Sequence, residues 1–182
     1  MVNTWTCTGA CISGLEYLHW VQQFALEPKM VDVMDNVRVR IPICTWIGEN
    51  IDTVNAELNS YLQACHECFY SHERKQIQIF AVPLAEFLGI DGFCNILNDP
   101  ITILIDVGRT AREDWLSIVV HEYAHAHLAE FGHNHNFAEV LSHLCLGLGL
   151  DLPNWEPDKE YELRCWPNCK LNVDPLGFWR GQ

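Results

Sequence analysis

The chain predicts an α+β fold, a small, mostly antiparallel sheet packed on helices. Three observations support this. Apolar stripes at helical spacing recur along the chain; short runs between them alternate apolar with polar residues or are rich in β-branched ones; and the middle elements follow one another as β–α–β–β–α–α. At 182 residues, 49% hydrophobic and 19% charged, the chain is globular and long enough for a core without disulfide staples. It reads as a single domain over 1–182, with a core at about 37–148 and an N-terminal helix and an irregular tail packed on it.

The elements follow in order. Met1 to about Pro28 reads as a helix, because Leu15, Leu18, Val21 and Ala25 recur at helical spacing and Pro28 ends the pattern. "VRVRIPICTWI" (Val37–Ile47) opens with strict alternation and predicts a half-buried strand, with Pro42 confining part of it to an edge or bulge. Val54, Leu58, Tyr61, Leu62, Cys65 and Phe69 then form one helical stripe. "KQIQIFAVP" (Lys75–Pro83) and "DPITILIDV" (Asp99–Val107) predict two strands. A long helix from about Ala111 to Phe131, stopped at Gly132, precedes another from about Phe137 to Leu148. From Asp151 the chain has little period and predicts irregular structure wrapped over the body.

A net charge of −13 argues against nucleic acid and anionic membranes as partners, since both are bound by Lys and Arg. No apolar run approaches the roughly 20 residues needed to span a bilayer. The opening residues show neither a basic region nor an apolar one of signal-peptide type. With nine cysteines, an odd number, a cytoplasmic protein with reduced thiols is expected.

Five of the nine histidines fall within "VVHEYAHAHLAEFGHNHNF" (Val119–Phe137). His121 and His125 lie four apart on a predicted helix, about 40° apart in direction and one turn removed, so both imidazoles can reach one ion. Glu122 lies about 60° from His125, placed to address a metal-bound water without binding the metal. This is the physical content of HExxH, here "HEYAH". His127 lies about 160° around from His125 and reads as a core or surface histidine. A catalytic zinc site takes three protein ligands, and the candidates for the third are His133, His135, Glu139 and His143.

"HEYAH" followed by "HNHNF" (His133–Phe137) resembles the SprT-like and WLM minimal zincin metallopeptidases. The resemblance implies a zincin-like fold, Zn²⁺ on His121, His125 and His133, Glu122 as the catalytic glutamate, and Phe137 as the aromatic packed behind the third ligand. It implies a peptide or protein substrate, paired in extended form with the last strand before the helix, the place taken by "ITILIDV". His133 is also the first residue after the expected helix stop, and His135 points about 160° away from it if the next helix has begun. The chain departs from the family pattern at Asn134, where glycine is usual, and "CWPNC" supplies only half of the cysteines of the zinc ribbon that many SprT-like proteins carry.

The expected function is a zinc-dependent metallohydrolase, a peptidase, with a non-catalytic zincin-fold binding module and a metal-assisted small-molecule hydrolase as alternatives. Tyr161, His143 and Arg112 are candidates for stabilising the oxyanion. Cys65/Cys68, Cys7/Cys11 and Cys165/Cys169 have ligand-like spacing, but nothing in the sequence brings four thiols together.

Overall fold

A computed structural model describes residues 9–156 and 160–182. Met1–Thr8, the first part of the expected N-terminal helix and the site of Cys7, lie outside the described residues. The architecture is α+β: a three-stranded mixed sheet and six α-helices among the described residues. No helix among them is long and apolar enough to cross a membrane.

Helix α1 (Gly9–Val21) ends in a 3-10 turn rather than continuing to Pro28, which opens a second such turn. It lies against α2 (Val37–Glu67), a helix of 31 residues. The two backbones touch at two glycines. A Cβ on Gly14 would stand 1.9 Å from the Cys44 carbonyl oxygen, and one on Gly48 would stand 1.9 Å from that of Ala10. Only glycine permits that approach.

The strand expected at Val37–Ile47 is the start of α2. Its alternation covers only Val37, Val39 and Ile41, in turns that are exposed or half-buried. Ile43, Cys44, Ile47, Ile51, Val54, Leu58, Leu62 and Cys65 form a single buried stripe at 3–4-residue spacing, and this longer pattern prevails. Asn36 caps the helix through Arg38 N–H at 2.9 Å. Pro42 falls one turn in, where the carbonyl it leaves unbonded belongs to exposed Arg38 and can meet water.

Strands β1 (Ile77–Ala81) and β3 (Ile101–Ile105) form where the sequence places them; β2 (Gly92–Asn95) is an addition. The order is β1-β3-β2, with β1 parallel and β2 antiparallel to β3, so the sheet is mixed rather than mostly antiparallel. β3 is therefore the central strand, paired on both sides, and cannot be the substrate-pairing edge expected of "ITILIDV". Its unbroken β-branched and leucine run is that of a strand buried on both faces. The outer side of β1 is covered at Ala81, whose N–H donates to Asn55 Oδ1 (2.8 Å) and whose carbonyl accepts from Tyr17 Oη (2.8 Å).

Helix α3 (Trp115–Leu128) runs beneath the sheet and packs on α2, α4, β2 and β3. Every residue from Ile118 to Ala126 is buried. It ends at Ala129, not at Gly132: Ala129 takes the left-handed conformation (φ 55°). Helix α4 (His135–Leu148) follows, capped by Asn134 Oδ1 on Phe137 N–H at 3.1 Å. Asn134 also donates to Glu130 Oε2 at 3.0 Å, so the residue that departs from the family pattern pins both ends of the reversal.

The tail contains two short helices, α5 (Glu160–Arg164) and α6 (Pro175–Phe178), and joins the main core through fully buried Leu163 and Trp179. Its anchor is Asp106, just past β3. One carboxylate oxygen accepts from Leu84 N (2.9 Å) and Arg109 Nε (3.3 Å), the other from Gly108 N (3.1 Å) and Trp179 Nε1 (2.9 Å). Burial pushes the Asp106 carboxyl up to about 6, and the four donors pull the other way, so the carboxylate prevails at neutral pH. In Asp106→Asn the amide NH₂ must oppose two of those donors. Unsatisfied buried groups cost about 1–3 kcal/mol each, so chemical denaturation should show a loss of roughly 2–6 kcal/mol. A loss under about 0.5 kcal/mol would show that Asp106 does not hold the tail.

Candidate metal centre

His121 and His125 come from the buried face of α3, and His133 from the reversal after it. The reversal works because Ala129 turns the chain and because the Glu130 carbonyl, just beyond, accepts His125 Nδ1–H at 2.9 Å. That bond fixes the His125 tautomer and leaves the Nε2 lone pair facing inward. His133 Nε2 then lies 3.2 Å from His125 Nε2 and 3.1 Å from His121 Nε2. Nitrogens bonded to one tetrahedral ion at about 2.0–2.1 Å stand about 3.3 Å apart, so the spacing suits a single divalent cation. This is the sole group of three or more His, Cys, Asp or Glu found among the described residues with ligand atoms close enough to hold a metal.

Phe137, fully buried, forms the back of the site, with ring centroids 5.1, 4.5 and 4.7 Å from those of His121, His125 and His133. Burial disfavours the imidazolium form: His121 is pushed down to about 3 and His133 to about 4, each lowered further by neighbouring imidazoles, and His125 is lowered as well. All three are neutral near pH 7, the form that binds metal. On the outer side of His121 lies the Trp166 backbone carbonyl, which favours a proton on that ring; the contact falls outside good hydrogen-bond geometry, so Nδ1 has no partner that meets it.

The centre sits in a cleft of about 540 Å³, together with Glu122. Burial pushes Glu122 up to about 8, nearby Asp91 adds to the rise, and the Cys94 backbone N–H opposes it. Gly92 lies against this side chain: a Cβ there would stand 2.9 Å from Glu122 Cγ and 3.1 Å from its Oε1. The Asp106 N–H to Asp91 O bond (2.8 Å) sets the alternation along β2, so Phe93 and Asn95 face β3 while the backbone groups of Gly92 and Cys94 point outward. The open edge of the sheet is therefore β2, and it forms one wall of the cleft.

The remaining candidates lie elsewhere. His127 stacks on Phe69 at 4.0 Å. His135 and Glu139 pair with each other at 3.2 Å on an exposed face, and His143 meets the Cys68 carbonyl at 2.8 Å. Of the oxyanion candidates, Arg112 holds Glu57 (2.9 and 2.7 Å), exposed Tyr161 bonds Glu162, and neither these two nor His143 lines the cleft. Cys65 is buried, and Cys68 donates to the Ala64 carbonyl at 3.5 Å. Cys11 is buried in the core, whereas Cys165 and Cys169 line the cleft. The second wall, residues 164–171 of the tail, carries no periodic signal that sequence reading can use.

Comparison with protein-family models, curated proteins and solved structures finds no match to this chain.

Two outcomes follow. His121→Ala, His125→Ala and His133→Ala should each lower Zn²⁺ affinity by more than roughly 100-fold in calorimetry, beyond what loss of an outer hydrogen-bond partner causes. His135→Ala should change it little, and equal losses for His133→Ala and His135→Ala would remove His133 from the site. Because burial lowers all three imidazoles from their ordinary value, the fall of affinity with falling pH should begin below the range of a solvated histidine and be completed only as His133 and then His121 take up protons, near pH 4 and below. A decline beginning near pH 6.5 would show ordinary, solvated histidines.

Proposed function

We propose that the chain is a zinc-dependent metallohydrolase that cleaves peptide bonds, with His121, His125 and His133 as zinc ligands and Glu122 as general base. One observation carries this reading: three imidazole nitrogens within 3.1–3.2 Å contacts face a cleft that also receives a buried carboxylate from the same helix turn. Burying Glu122, His121 and His125 at 7–8% exposure is costly for a fold that gains only packing from them.

Zn²⁺, when bound, polarises a water molecule and the scissile carbonyl. Glu122 takes the proton of the attacking water on a carboxylate oxygen and later passes it to the leaving amine. For this it must be ionised. Burial opposes ionisation, and a divalent cation held by the three imidazoles would favour the carboxylate. The Cys94 N–H orients the carboxylate, and Gly92 leaves room for it.

The outward backbone groups of Gly92 and the Cys94 carbonyl offer an extended peptide a strand to pair with. β2 thus takes the part that the resemblance to SprT-like and WLM zincins assigns to the strand before the helix. Phe137 behind the three imidazoles and the motif spacing support the same resemblance.

Glu122→Gln should keep its zinc and lose about 10²–10⁴-fold in turnover on peptides cleaved from an unbiased pool. Gly92→Ala should keep its zinc while kcat falls about tenfold or more, because the added Cβ, 2.9 Å from Glu122 Cγ and 3.1 Å from Ile105 Cδ1, displaces Glu122 by a fraction of an ångström. Full turnover by Glu122→Gln would exclude the general-base role.

A further inference from the structure

The cleft is electrically polarised. On the β2 side stand Asp91 and Glu122; on the tail side stands Arg164, the only Lys or Arg among the lining residues. Arg164 and the three imidazoles line the same cleft. The chain has 24 acidic residues against 11 basic ones, and carboxylates are abundant. Arg109, Arg112 and Arg180 each hold one. Arg164 is different: no hydrogen bond or ion pair joins its side chain to another described residue.

Its side chain is exposed, and the backbone that carries it is held on both sides. Leu163 beside it is fully buried. The segment beyond is held where Leu171 bridges to Thr110 and where Asn172 N–H donates to the Arg109 carbonyl at 2.7 Å. A guanidinium is a planar fork of donors that matches a carboxylate in bidentate geometry. A single cation in a cleft also lined by apolar Phe131, Trp166 and Leu171 matches a single negative charge, where a phosphate would call for more.

We propose that Arg164 binds a substrate carboxylate next to the scissile bond, from an acidic side chain or from a free C-terminus. This selects acidic or C-terminal sites and rests on the hydrolase reading above. Arg164 acts here as a specificity residue, not as a ligand of the metal.

The test uses zinc-loaded Glu122→Gln protein and a pool of N-acetylated octapeptides. Every Asp or Glu member has an Asn or Gln counterpart, and the pool is made both with free C-terminal carboxylates and as carboxamides. Retained peptides are counted by mass spectrometry. Members with a carboxylate should be enriched about fivefold or more over their amide counterparts, within the range of charge-assisted hydrogen bonds at a partly exposed site. The enrichment should vanish when Arg164→Ala is added and turn toward Lys and Arg with Arg164→Glu, while zinc content and thermal midpoint stay unchanged. Enrichment in both series assigns the carboxylate to a side chain; enrichment only in the free-acid series assigns it to the C-terminus. Equal retention of acids and amides, retention of no peptide, or enrichment that survives Arg164→Ala overturns the proposal. Failure of the wild-type protein to cleave the retained peptides would overturn the hydrolase reading alone, leaving carboxylate recognition to stand on the binding result.

Discussion

Three neutral imidazoles aiming nitrogens at one another is the constraint on which the site depends. A lone pair facing a lone pair at 3.1–3.2 Å is repulsive unless a proton or a cation lies between them. The surrounding fold holds the three rings in this arrangement from three directions. α3 is buried nearly all round and cannot rotate its histidines away. The Glu130 carbonyl holds His125 by its far nitrogen. Asn134 clamps the reversal that presents His133, while Phe137 closes the back. The three converging nitrogens could hold a cation, which would replace any proton shared between them.

The cleft around the centre has two walls of different origin. One is the free edge of β2, whose outward backbone groups and absent Gly92 side chain leave space for the Glu122 carboxylate and for a ligand. The other belongs to the C-terminal tail. Asp106 links them: it lies just past β3, next to the β2 pairing, and through Trp179 it holds the tail in place. A buried carboxylate with four donors is a rigid joint, so the geometry of the cleft depends on a residue that never enters it.

Much of this is legible in the sequence, for physical reasons. β1 and β3 carry alternation or β-branched runs between turn residues, and α4 lies close to the span expected at about Phe137 to Leu148. The convergence of His121, His125 and His133 follows from helical spacing and from the resemblance. The losses are equally specific. Three alternating residues at Val37–Ile41 imitate a strand because they occupy the exposed first turns of a helix whose buried stripe starts only at Ile43. β2 is four residues without a β-branched side chain and exists through its pairing with β3. The stop at Ala129 is hidden because glycine is the residue that favours a left-handed backbone; here alanine adopts it at a cost of about 1–2 kcal/mol. The roles of Asp106, Gly92 and Arg164 depend on contacts between distant segments, which local patterns cannot report.

The most direct test of the metal centre is zinc K-edge X-ray absorption on the purified, zinc-loaded protein. The arrangement predicts a first shell made only of nitrogen and oxygen at about 2.0–2.1 Å, with outer-shell scattering from three imidazoles. A sulfur shell at about 2.3 Å would place the zinc on cysteine and contradict it.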